Sequence, residues 1–148
     1  MKRLYTKAFL GGALISIVPA FIVTLLSNII PATQSQNLEV VNDIFSVETY
    51  GILQYFMLFS IIVLSPVVEE VIFRGVLWNF MKKFLKEKTV YIVISVLFAA
   101  IHMDLLHVLG LLPVSFLLGW FKYKTGNIKA SLVCHISNNL VACIIMMV

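Results

Sequence analysis

Ten of the 11 lysines and arginines lie in three short clusters, and apolar segments fill most of the chain between them. Lys2, Arg3 and Lys7 precede the first segment. Lys82, Lys83, Lys86 and Lys88 separate the second from the third, and Lys122, Lys124 and Lys129 separate the fourth from the fifth. The other two connections carry no base: Pro31–Thr49 has Glu39, Asp43 and Glu48, and the Met103–Leu106 turn has Asp104. Bases confined to alternate loops mark the cytoplasmic side of a membrane protein. The pattern predicts an all-α, polytopic transmembrane helix bundle of about five spans, multi-pass in the cell membrane, with a cytoplasmic N-terminus and an external C-terminus.

Only 12% of the 148 residues are charged, against about 25% in soluble domains. That leaves too little polar surface for a water-facing globule. The net charge of +4, placed as topology signals, argues against a nucleic-acid partner and leaves membrane lipid as the surface it meets. Residues 1–49 are expected to form a first transmembrane helix and an external loop, and residues 50–148 a helical core. The basic, then apolar N-terminus is expected to be an uncleaved span, since it is long and shows no small-x-small cleavage site. Cys134 and Cys143 are nine apart in one segment and so point to opposite faces of a helix. Both are expected to be small apolar residues.

The expected spans are Ala8–Ile30, with Pro19 a candidate kink, Tyr50–Met81, a short Thr89–His102, His107–Phe121 and Ile128–Val148. As a helix the second would be about 45 Å long, more than a hydrocarbon core of roughly 30 Å. Ser65-Pro66 predicts a break within it, with Ser65 as cap and Pro66 opening the second half. Gly110, Gly119 and Ala130 would allow close helix contact.

Glu69, Glu70 and Arg74 lie inside this second span, where an ionisable group costs on the order of 2.5 kcal/mol or more and usually serves a polar cavity. Glu70 and Arg74, four apart, share a helix face and would neutralise one another, holding the helix in place. Glu69 is rotated by about 100° from that pair and is expected to have no local partner, so it has the makings of a general base. His102 and His135 stand in later spans, His102 one turn after Phe98 and His135 four before Asn139. Counted from the cytoplasmic ends, Glu69 lies about 18 Å deep, His102 about 20 Å and His135 about 10 Å. All three can therefore meet in one cavity. His135 and Asn139 share a face and offer donors for an oxyanion. Asn138, one step around, is expected to bond between helices.

Glu69–Arg74 (E-E-V-I-F-R), Phe98–His102 (F-A-A-I-H) and His135–Asn139 (H-I-S-N-N) resemble, in order, the three motifs of the CPBP family. These are the CAAX prenyl protease and bacteriocin-processing intramembrane endopeptidases, also called Abi proteins. Leu117–Ser131 resembles the family too, so the likeness covers roughly Tyr50–Val148. It implies that Glu69 and His102 hold and activate the attacking water and that His135 and Asn139 form the oxyanion hole. Glu70 and Arg74 would support the site, with Phe98 fixing the His102 ring. It leaves two mechanisms open, a metalloprotease, for which Glu69, His102 and His135 could supply three zinc ligands with an open position, and a metal-free glutamate protease.

The resemblance thus implies an intramembrane endopeptidase acting on a peptide or membrane-associated protein, in bacteriocin or peptide maturation or self-immunity. Members of the family it resembles commonly have more than five spans, so flanking helices would be absent here or supplied by a second copy in a homo-oligomer. The alternative is a non-catalytic immunity or regulatory protein that keeps the protease fold. A transporter subunit using the polar cluster as a relay is a third reading.

Overall fold

The computed structural model describes residues 2–26, 51–102 and 105–147. They form five helices and no strand: α1 (Lys2–Leu26), α2 (Ile52–Met81), α3 (Glu87–Ala100), α4 (Leu105–Thr125) and α5 (Lys129–Met147). All except α3 are long and apolar enough to cross a membrane. At 14 residues, α3 reaches only about 21 Å, short as its sequence suggested. The expected external loop at 31–49 and Asp104 lie outside the described residues.

The molecule is built inside out relative to a water-soluble protein. Glu70, Arg74, Ser95, Ser115 and Ser131 are fully enclosed, whereas Leu14, Ile52, Tyr55 and Val76 stand open on the outside. Lipid tails solvate apolar side chains as well as a protein core does, so polar residues face inward and bond one another.

α4 and α5 are central. The first half of α1 packs on α5 and its second half on α4, while α3 packs on α4 and on the end of α2. One apolar cluster joins α1, α4 and α5 through Ala8, Val114, Leu118, Phe121, Ala130 and Cys134. A second joins α2 and α3 through Trp78, Val90 and Ile94. Close approach depends on small residues. A Cβ on Gly12 would sit 2.0 Å from the Cys134 carbonyl oxygen, and one on Gly119 would sit 2.6 Å from Ser95 Oγ. Gly110 lies against Pro19 in the same way, 3.2 Å from its Cα. Ser137 Oγ ties α5 to α1 by donating to the Phe9 carbonyl at 2.7 Å. The α4–α5 turn closes on Gly126, whose φ of +70° suits glycine.

Both prolines expected to disturb helices do so, in different ways. α1 is interrupted at Ser16, next to the Ile15 carbonyl that Pro19 cannot serve. α2 runs on through Ser65-Pro66 with no break, which corrects the expectation there. Widened π-type turns at Ser60–Leu64 and Val71–Leu77 keep it continuous. Ser65 is helical and caps nothing: its N–H bonds the Ser60 carbonyl, five residues back. A widened turn of this kind carries the helix past the proline without ending it.

Candidate functional site

The polar interior is organised around Glu70 on α2. Arg74, one turn on, donates from Nη1 to Glu70 Oε1 at 3.0 Å, the pair expected from their spacing. Ser131 Oγ on α5 donates to Glu70 Oε2 at 2.5 Å, and His135 Nδ1 lies 3.1 Å from Glu70 Oε1. A carboxylate only accepts, so Nδ1 carries the hydrogen of that bond. Arg74 Nη2 continues the network into α4, donating to Ser115 Oγ at 3.0 Å and to the Ser115 carbonyl at 3.3 Å. Ser115 and Ser95 bond each other's carbonyls and so bind α4 to α3. Three helices thus share one buried ion pair.

Glu69 faces another way. One turn before it, Ser65 Oγ donates to Glu69 Oε1 at 2.5 Å, which corrects the expectation that Glu69 has no local partner. Glu69 Oε2 lies 3.6 Å from His135 Nε2. The His135 ring therefore stands between two acids, bonded to the enclosed Glu70 through Nδ1 and turning Nε2 toward the part-exposed Glu69. A groove of ≈ 460 Å³ runs along α2 past Ser60, Ile61, Leu64, Ser65, Val68 and Glu69. It gives the Glu69 carboxylate an approach from outside the bundle.

Phe98 connects the two histidines. Its ring centroid is 5.6 Å from that of His102 and 5.7 Å from that of His135, and the Arg74 guanidinium lies over its face at 4.2 Å. His102 Nδ1 donates to the Phe98 carbonyl at 3.1 Å. The neutral ring then keeps its lone pair on Nε2. The anticipated three-ligand zinc set of Glu69, His102 and His135 is not assembled in this arrangement. Among the described residues no three His, Cys, Asp or Glu side chains gather as a metal site.

Asn139 Nδ2 donates to the Ile61 carbonyl on α2 at 3.0 Å, rather than pointing to open space. Asn138 bonds along its own helix, donating to Asn139 Oδ1 at 3.2 Å, which corrects the expectation of a bond between helices. Sequence reasoning also passed over Ser115 and Ser131. Ser131 had a usable signal, because it lies four before His135 on the same helix face. Ser115 had none, since its role depends on how α4 meets α2.

A family model described as type II CAAX prenyl endopeptidase Rce1-like matches residues 51–141. Comparisons with curated proteins and with solved structures gave no match. The matched stretch covers more than half of the chain and contains every side chain of this site. With its apolar helices and polar interior, the chain is a membrane protein that belongs to the type II CAAX prenyl endopeptidase Rce1-like family.

Proposed function

We propose that this protein is an intramembrane endopeptidase in which Glu69 activates the attacking water. The observation that carries the reading is the Glu69 carboxylate facing His135 Nε2 at 3.6 Å beside an open groove. In the proposed reaction Glu69 takes a proton from a water as its oxygen attacks the peptide carbonyl. The tetrahedral intermediate then collapses, and Glu69 returns the proton to the departing amine nitrogen. His135, doubly protonated and held by Glu70 through Nδ1–H, donates from Nε2–H to the developing oxyanion, and His102 offers its Nε2 lone pair to orient the water. Glu70, Arg74 and Ser131 hold the His135 ring in place, while Phe98 packs between the two imidazoles. The substrate is a peptide or membrane-associated protein, and peptide maturation or self-immunity is the proposed setting.

Purified protein reconstituted in vesicles, offered a panel of candidate peptides, tests this. Glu69→Gln and His135→Ala should each lower cleavage by about 100-fold or more while the protein still accumulates in membranes. Cleavage at the wild-type rate by both variants would remove the proteolytic reading. The second reading, a non-catalytic binder that keeps the fold, has one observation in its favour: Asn139 bonds its own protein's backbone. It requires the biological phenotype to survive both substitutions.

A further inference from the structure

The Ile61 carbonyl has lost both of its ordinary helical donors. In an α-turn it would accept from the N–H of Ser65, but that N–H goes to Ser60, one residue earlier. In the widened register it would accept from residue 66, and Pro66 has no N–H to give. A backbone carbonyl left unpaired in a membrane-spanning helix is costly. Asn139 Nδ2 reaches across from α5 to fill the vacancy at 3.0 Å. Four residues before Asn139 on α5 is His135, and four after Ile61 on α2 is Ser65, the donor to Glu69.

We infer that Asn139 is a positioning residue that replaces the N–H missing at Pro66. Its bond sets α5 against the widened turn of α2 at the register that places His135 opposite Glu69. The side chain acts through the backbone of α2, in contrast to a donor aimed at the reacting carbonyl. Its contribution therefore depends on the proline, and this dependence is the testable core. In a Pro66→Ala protein the carbonyl regains a helical donor in either register, from Ser65 or from residue 66, so the amide becomes dispensable. The effect on cleavage rests on the proteolytic reading above; the effect on stability does not.

The experiment compares wild type, Asn139→Ala, Pro66→Ala and the double variant as full-length protein in detergent. A thiol-reactive dye reports unfolding through the buried Cys134 and Cys143. Asn139→Ala should lower the unfolding midpoint by about 5 °C, the scale of one unsatisfied buried acceptor. In the Pro66→Ala background the same substitution should cost less than half as much. If Asn139→Ala fails to accumulate, Pro66→Ala must restore it. Cleavage should follow: Asn139→Ala lowers kcat, and adding Pro66→Ala recovers it. Equal losses in the two backgrounds, in midpoint or in accumulation, would overturn the inference. A wild-type protein that cuts none of the peptides would count against the proteolytic reading alone, because the midpoints still decide this one.

Discussion

Glu69 and Glu70 are neighbours in the chain with different duties. Glu70 is fully enclosed and makes bonds through both oxygens, to Arg74, His135 and Ser131. Removing either charge of that pair leaves the other buried without compensation, which typically costs about 3–5 kcal/mol. Arg74→Ala and Glu70→Ala should therefore lose that much stability, read as a large fall in unfolding midpoint or as failure to accumulate. Glu69→Gln keeps its shape and can still accept from Ser65, so it should stay within about 1 kcal/mol of wild type. Equal losses for the two acids would remove this distinction. The exposed Lys82–Glu87 pair is of a different kind. The hydrogen bond from Lys82 holds the Glu87 carboxyl below its usual range. Its contribution is present above the ordinary glutamate pKa and is lost as pH falls through the lowered value. An exposed pair contributes at most about 1 kcal/mol, so Glu87→Gln should leave the midpoint nearly unchanged at neutral pH.

Helix placement rests on a few contacts where backbones nearly touch. Gly11 and Gly12 are adjacent on α1, yet a Cβ on Gly12 would meet the Cys134 carbonyl oxygen at 2.0 Å, and one on Gly11 would meet nothing closer than 3.6 Å. Backbone cannot move aside as a side-chain tip can, so Gly12→Ala must push α1 away from α5. The expected loss is about 1–3 kcal/mol, against little or none for Gly11→Ala, as measured by thermal unfolding. Equal tolerance of both would mean that α1 docks on α5 differently. The same α5 backbone carries Ser131, His135 and Asn139, so loosening α1 should also disturb the registration of the site. α2 shows the converse strategy. It keeps thirty residues in one helix by widening its turns, and a neighbour on α5 meets the carbonyl this releases.

At the scale of the molecule, the basic clusters lie at helix ends: in the first turns of α1, from the end of α2 into the first turn of α3, and from the last turn of α4 to the first residue of α5. Lys82 and Lys122, from different clusters, lie near enough to affect one another electrostatically. The proposed orientation puts these ends in the cytoplasm. Both native cysteines are buried, so an added thiol should be labelled above a low background. Lys83→Cys should resist a membrane-impermeant maleimide in intact cells and react once the membrane is opened. Labelling in intact cells would invert the orientation.

Helical geometry is local, and what depends on it was legible without coordinates. Apolar composition dictated helices with an apolar exterior, and four-residue spacing alone paired Glu70 with Arg74. Counting depth along three spans allowed Glu69, His102 and His135 to meet, but the facing of Glu69 and His135 at 3.6 Å came from the packing. The expected break at Pro66 did not occur, because a proline can be met by a wider turn as well as by a kink, and sequence does not distinguish them. The remaining facts belong to the packing of α5 and α4 on α2: which nitrogen of His135 meets which acid, why Ser115 and Ser131 matter, and where the Asn139 amide points. Rotation and axial register between helices decide those, and both are set by backbone contacts such as Gly12 on Cys134, far along the chain from the side chains they align.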